Sequence, residues 1–255
     1  MMAAIGLLPL DRFLKGEESV AERMQPIPAM FDRIAYRYDF LNRCLSFGQD
    51  VIWRKKVGSY LPSHDNLHVL DLATGTGDLA ISLISNHHQV TDIVGLDLSE
   101  NMLEIGRAKI HKAGLANCIQ LRTGDATHID MENNSFDVVT IAFGIRNVTD
   151  VALALSEMYR CLKVRGRLII LEFSLPSNRL IRALYLFYFR YWLPLFGGII
   201  SGDKSAYRYL NQSAENFPYG ETFLQRLGLA GFKNAKANVL TFGVVTIYVA
   251  EKDVA

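Results

Sequence analysis

Between residues 68 and 174, short apolar runs alternate with helical patterns without a break. The series reads HVLDLA, DLAISLIS, DIVGLDL, NMLEIGRAKIHKAG, CIQLRTGDA, FDVVTIAF, VALALSEMYRCL and RLIILEF. Strands separated by helices at this pace form parallel neighbours joined by right-handed crossovers, with helices on both faces of the sheet. The expected class is therefore α/β, a doubly wound sheet. Gly114 is placed to stop the second of these helices. After residue 220 the helical stretch FLQRLGLAG precedes FKNAKANVL and VVTIYVAEK, and Gly243 between those two runs predicts an antiparallel hairpin closing one sheet edge.

Composition narrows the class of function. Half of the 255 residues are hydrophobic, which is incompatible with global disorder and sufficient for a large core. The 27 basic and 26 acidic side chains leave a net charge of +1, so no broad field attracts nucleic acid. Cys44, Cys118 and Cys161 are odd in number and far apart, giving neither a disulfide framework nor a zinc spacing, and the expected compartment is the reducing cytoplasm. His87 and His88 have no companion ligands in sequence, so no metal is expected. Residues 1–10 are apolar but lack a leading positive region and read poorly as a secretory signal. The apolar stretch over residues 180–200 is broken by Arg182, Arg190, Pro194 and the Gly197-Gly198 pair, so it is no membrane span.

The strongest chemical signal is DLATGTGDLA, residues 71–80. Gly75 and Gly77 let the chain turn sharply after a strand and approach a ligand closely. Asp97, twenty residues past Gly77, ends the second strand, where a carboxylate accepts the hydroxyls of an adenosine ribose. Gly75, Gly77 and Ala80 equally satisfy a dinucleotide G-x-G-x-x-A, so this turn alone leaves a nicotinamide enzyme open. Asp71 and Asp78 favour a ligand carrying an ammonium over one carrying a pyrophosphate, on charge grounds. Asp125 after the third strand suits the exocyclic amine of adenine. Each such aspartate alone is often a turn former, but three stand at successive strand ends.

With these residues in place, the chain resembles the class I S-adenosylmethionine-dependent methyltransferases, and within them the ubiquinone/menaquinone biosynthesis C-methyltransferases. The segments that carry the resemblance are 38-YDFLNRCLSFGQDVIW-53, 69-VLDLATGTGD-78, 143-FGIRNV-148, 159-YRCLKVRGRLIILEFS-174 and 205-SAYRYLNQS-213. It implies a Rossmann-like, mostly parallel seven-stranded sheet. It also implies methyl transfer from S-adenosylmethionine to a ring carbon of a demethylated isoprenoid quinol, with demethylmenaquinol as the first expectation. By the same resemblance Thr76, Asp97, Asp125, Ala126 and Ala142 line the cofactor site beside Asp71, Gly75 and Gly77. Two positions depart from the family pattern: Asp50 stands where histidine is common, and Lys163-Val164-Arg165-Gly166 replaces a Lys-Pro-Gly-Gly turn, read here as a surface turn.

A ring carbon attacks a sulfonium methyl once a neighbouring hydroxyl is wholly or partly deprotonated, so the reduced quinol is the expected acceptor. Arg146 and Asn147 follow the fourth strand, and an arginine there stabilises phenolate rather than taking a proton. Asp39 is the nearest carboxylate candidate for proton removal, with Tyr36 and Tyr38 to orient the hydroxyl. In domain terms, residues 1–60 form a helical extension on the substrate side, and residues 61–255 form the cofactor-binding domain with a lid-like insertion at about 175–220. The stretch 185-YLFYFRYWLPLFGGII-200 suits an isoprenoid tail and peripheral contact with the inner face of a membrane, or else an internal helix or homodimer interface. Tyr207, Arg208 and Asn211 are expected at the same mouth. The rival functions are methylation of another small lipid or polyketide, and S-adenosylmethionine binding without catalysis.

Overall fold

The computed structural model describes residues 27–192 and 204–253, with the side chains of residues 27–28 and 204–208 excepted. The readings on residues 1–26 and 193–203, and on the side chains of Tyr207 and Arg208, lie outside that range.

Seven strands form one sheet: β1 (Leu67–Leu72), β2 (Val90–Asp97), β3 (Ile119–Thr123), β4 (Phe136–Ala142), β5 (Leu162–Phe173), β6 (Lys233–Leu240) and β7 (Val245–Glu251). Their order is β3-β2-β1-β4-β5-β7-β6. The first five are parallel, and β7 runs antiparallel to both β5 and β6, so the C-terminal hairpin closes the edge as its sequence predicts. The central strands are apolar on both sides because both sides are covered. Leu70, Leu72, Val139, Ile141 and Ile170 belong to one core, while Leu67, Val69, Val138, Ile169 and Leu171 belong to the core on the opposite face.

The helices between strands are α3 (Asp78–Asn86), α4 (Glu100–Lys112) and α5 (Val151–Cys161). Ser99 caps α4 by accepting from the Met102 amide, and Asp150 caps α5 by accepting from that of Leu153. The Lys163–Gly166 segment is not a free turn between helix and strand. It bulges out of β5, whose pairing with β4 jumps from Phe136–Leu162 to Val138–Arg167, and Arg165 sits there at φ 65°.

Strand order reverses between the parallel neighbours β1 and β4, and open α/β sheets bind ligands in the crevice at the carboxyl ends of the strands at such a point. Both strand ends are strained at that point: Ala73 lies at φ 47° and Phe143 at φ 57°, in the left-handed region that side chains avoid. The two turns also touch. A Cβ on Gly144 would stand 2.4 Å from the Cβ of Ala73, so only glycine lets the segment after β4 lie against the loop after β1.

Above this crevice lie α1 (Ile27–Leu45), α2 (Gln49–Val57), α6 (Arg179–Phe187) with its continuation Tyr188–Trp192, and α7 (Lys204–Asn216); α8 (Glu221–Leu229) packs on the sheet before the hairpin. Met30, Ile34 and Leu41 of α1 share a small separate core with Phe189 and with Ala214 of α7. The extension before the sheet and the insertion after β5 thus form one roof. Tyr188 Oη reinforces it by donating to the Leu45 carbonyl at 2.8 Å.

Candidate active site

The loop between β1 and α3 follows from its glycines. Gly75 and Gly77 adopt φ 57° and 76°, and the Cβ direction of Gly75 is open, which leaves its backbone accessible to a ligand. Asp97 fixes that loop from the end of β2. Its Oδ2 accepts the Gly75 amide at 2.8 Å and its Oδ1 accepts the Ser99 amide at 2.9 Å. Burial pushes its carboxyl above the usual range, against the pull of those amides.

A cavity of about 330 Å³ opens beside this corner, with Gly75, Asp97, Asp125, Ala126, Ala142 and Asn147 in its wall. Asp125 also builds its own turn, its Oδ1 accepting both the amide and the hydroxyl of Thr127 at 2.8 Å. A much smaller cavity, about 30 Å³, continues past Ala73 and Gly75 to Asp71, Thr76 and Arg54. Asp71 is buried with its two oxygens accepting from Thr140 Oγ1 at 2.6 Å and Thr74 Oγ1 at 2.7 Å. Burial lifts its carboxyl to about 6, with the two hydroxyls opposing the shift. Gly77 lines none of these cavities and serves the turn itself, packed near Ile110 and Leu121.

A third cavity, about 270 Å³, lies under the roof and is mostly apolar, with Met30, Ile34, Phe173, Tyr185 and Phe189 in its wall. It shares Phe31, Tyr38 and Phe143 with the cavity beside Asp97, and Tyr38 borders all three. Tyr38 is held protonated by burial. Arg146 lines the apolar cavity from the short 3-10 turn after β4. Its Nη1 donates to Glu172 Oε1 and to the Phe143 carbonyl, each at 2.6 Å, and its guanidinium stands 5.2 Å from the Phe173 ring centroid. Its Nε is buried without a hydrogen-bond partner among the described residues. Asn147 faces the neighbouring cavity, and its Oδ1 accepts from Tyr209 Oη of α7 at 3.1 Å.

Two expected residues are occupied elsewhere. Asp39 lines none of the three cavities; its carboxylate accepts from Thr76 Oγ1 at 2.6 Å and from Lys109 Nζ at 2.7 Å. This contact, with the Asp32–Ser99 hydrogen bond and the Arg43–Asp78 ion pair, latches α1 onto the glycine loop and α4. Tyr36 is 88% exposed and lines none of the three cavities. Sequence reasoning missed Glu172, whose one signal is a lone acid within the apolar run RLIILEF, and Arg54, which lies four residues after Asp50 on one helix face. No cluster of metal-ligating side chains occurs among the described residues.

A sequence profile of the ubiE/COQ5 methyltransferase family matches residues 18–252. The chain belongs to that family. It is 46% identical to a ubiquinone/menaquinone biosynthesis C-methyltransferase UbiE of Geotalea uraniireducens, over 91% of this chain and 99% of the relative. It is 39% identical to a demethylmenaquinone methyltransferase of Bacteroides fragilis, over 94% and 97%. Among solved structures, a S-adenosylmethionine-dependent methyltransferase of Thermotoga maritima superposes with a TM-score of 0.63 at 19% identity, covering 88% of this chain and 99% of its own. That likeness supports the methyltransferase fold, and the ubiE/COQ5 membership bears out the resemblance read from the sequence.

Asp71 generates a test of this geometry. Its folded-state pKa of about 6 lies above the ordinary aspartate value of about 4, so an ionised Asp71 penalises the folded protein as pH rises. Asp71→Asn should therefore gain stability over the natural chain as pH climbs from 4 to 6, by on the order of 3 kcal/mol at most, and gain nothing below pH 4. Urea unfolding of both proteins across pH 4–8 checks this; a difference independent of pH would contradict it.

Proposed function

We infer that this chain methylates a ring carbon of a demethylated isoprenoid quinol, with S-adenosylmethionine as methyl donor and demethylmenaquinol as the preferred acceptor. The observation that carries the reading is the junction at Tyr38 and Phe143, where a cavity roomy enough for an adenosine and rimmed by Asp97 and Asp125 meets an apolar one lined by Arg146. The names of the relatives, which include both ubiquinone/menaquinone and demethylmenaquinone methyltransferases, support the substrate class.

The residues fit the donor by their chemistry. Asp97 keeps lone pairs for ribose hydroxyls while anchoring Gly75, Asp125 and Ala126 flank the adenine position, and Asp71 offers a carboxylate toward the amino-acid end. When bound, S-adenosylmethionine supplies an electrophilic methyl on a positively charged sulfur. The chain's own task is alignment and charge. Apolar walls around Phe143 and Phe173 hold a flat ring in place and exclude water, which favours an aligned approach over diffusion. The guanidinium of Arg146, its Nε without a partner among the described residues, stands in this cavity for a quinol oxygen that becomes negative as its hydroxyl loses a proton and readies the ring carbon to attack. Glu172 keeps that guanidinium in the cavity, and Asn147 with Tyr209 closes the side next to the donor. Asp39 is left out of the proton transfer, since its carboxylate serves the α1 latch.

The tail of such a quinol needs an apolar route to the lipid in which it dissolves. The outer face of α6 and its continuation exposes Leu180, Leu184, Phe187 and Tyr191 at helical spacing, while Tyr185, Tyr188 and Phe189 of the same segment line the apolar cavity. Arg179 and Arg182 accompany the apolar stripe, a pattern suited to peripheral contact with an anionic membrane surface at the cytoplasmic side. No helix among the described residues is long and apolar enough to cross a membrane.

Transfer of an isotopically labelled methyl group from S-adenosylmethionine to demethylmenaquinol and, separately, to a demethylated ubiquinol precursor tests the reading under reducing conditions. Label on the naphthoquinol ring, at the higher rate, is expected; label on neither ring with the donor still bound would overturn it. For the surface, Leu184→Glu with Phe187→Glu should cut co-flotation with vesicles of phosphatidylglycerol and phosphatidylethanolamine several-fold, and unchanged flotation would remove the membrane assignment.

A further inference from the structure

Two buried arginine–carboxylate pairs border the apolar cavity, and the reading above uses one of them. The other is Asp50–Arg54 on α2. Arg54 Nη1 donates to Asp50 Oδ2 at 2.8 Å, Ser46 Oγ donates to Oδ1 at 2.9 Å, and Arg43 Nε of α1 stands 3.8 Å from Oδ2. Asp50 is 4% exposed and Arg54 9%. Burying such a pair contributes little stability compared with apolar residues of the same volume, so its presence in an apolar wall points to use rather than to packing.

The two pairs stand over one aromatic floor. The Arg54 guanidinium is 5.5 Å from the Phe143 ring centroid, the Arg146 guanidinium 5.2 Å from that of Phe173, and the two rings are 4.7 Å apart. A hydroquinone carries hydroxyls on opposite carbons of one ring, and these two guanidiniums offer a donor to each. Charge on the ring requires a proton acceptor as well. Among the described residues Asp50 is the one carboxylate lining the apolar cavity; Glu172 lies buried behind Arg146, where it also accepts the Phe173 amide at 2.8 Å.

Resting on the quinol reading, we propose that Asp50 is the general base of the reaction and that Arg54 binds the resulting phenolate. The O–H bond of one quinol hydroxyl breaks, its proton forms a new bond to an Asp50 oxygen, and the electron pair stays on the quinol oxygen and spreads into the ring. Arg54 exchanges one anionic partner for another, so the local charge is conserved. The ring carbon then forms its bond to the methyl group as the carbon–sulfur bond breaks, its electron pair remaining on sulfur. The C–H bond on the methylated carbon then breaks, its proton passing to water that enters as product leaves and its electron pair restoring the aromatic ring and the phenolate, whose oxygen takes back the proton held by Asp50. One proton is released in the net reaction.

The charged and titratable groups facing Asp50 are Arg54 on its own helix and Arg43 on α1; Tyr38, Tyr188, Tyr209 and the Arg146–Glu172 pair border the same cavity from the other elements. The test measures labelled methyl transfer to the quinol between pH 5 and 9 for the natural chain, Asp50→Asn and Asp50→His, with calorimetric S-adenosylmethionine binding as the check on folding. Asp50→Asn should lose roughly 100-fold or more in kcat at unchanged donor affinity, the usual scale for a lost general base. Asp50→His should recover part of that loss at alkaline pH, with an acid limb of kcat/KM displaced to higher pH than in the natural chain, since an imidazolium gives up its proton at higher pH than a carboxyl group does. A merely structural Asp50 would not move that limb. Asp50→Asn turnover within about threefold of the natural chain, or an unmoved limb in Asp50→His, would overturn the proposal; if Asp50→Asn fails to bind donor, the Asp50→His profile decides. Natural chain that turns over neither quinol overturns the quinol reading and this base with it, whereas active natural chain beside an equally active Asp50→Asn overturns the base alone.

Discussion

A guanidinium removed from water costs several kcal/mol unless a partner holds it, and in this chain the partner of Arg146 comes from the next strand. Pairing of β4 with β5 sets Ala142 opposite Leu171, which brings the turn after β4 level with Glu172 at the end of β5. Arg146 and Glu172 are 4% and 0% exposed, so neither tolerates loss of the other. That ion pair sets the cation in the wall of an apolar cavity, and the same guanidinium holds the carbonyl of the strained Phe143, which borders both large cavities next to the glycine that lets its turn rest on the loop after β1. Burial raises the Glu172 carboxyl, against the pull of Arg146, which is the electrostatic cost of keeping a charge at this depth.

The roof answers a second requirement. A ring and a donor must meet without water, yet both must enter and leave. Helix α1 is held to the glycine loop and α4 through polar contacts, Asp32–Ser99, Asp39–Lys109 and Arg43–Asp78, while its apolar face joins the insertion after β5. The helix held by these contacts therefore borders both large cavities, through Phe31 and Tyr38.

Much of this was legible in the sequence because local signals and global fold agree. The alternation of apolar runs and helical patterns gave the parallel order, Gly243 marked the hairpin, and Asp97 and Asp125 fell at strand ends whose register puts them beside one cavity. What stayed hidden depends on partners distant in sequence. Asp39 looked like a base because nothing local reveals Lys109, seventy positions on, or Thr76. Glu172 looked like part of a core strand, and Asp50 like a departure from a pattern, because the side chains that give them meaning, Arg146 and a cavity wall, are assembled only by the fold. The Lys163–Gly166 segment read as a surface turn because the jump in strand pairing that makes it a bulge is a property of two strands, not one.

The central claim is that Arg146 works in the cavity only because Glu172 holds it there. A double-mutant cycle on kcat/KM for quinol methylation, with Arg146→Lys, Glu172→Gln and the double variant, tests it directly, donor binding serving as the control for folding. The account predicts that each single change costs most of the activity and that the double variant is no worse than Arg146→Lys alone. Losses that simply add, or full activity in Glu172→Gln, would contradict it.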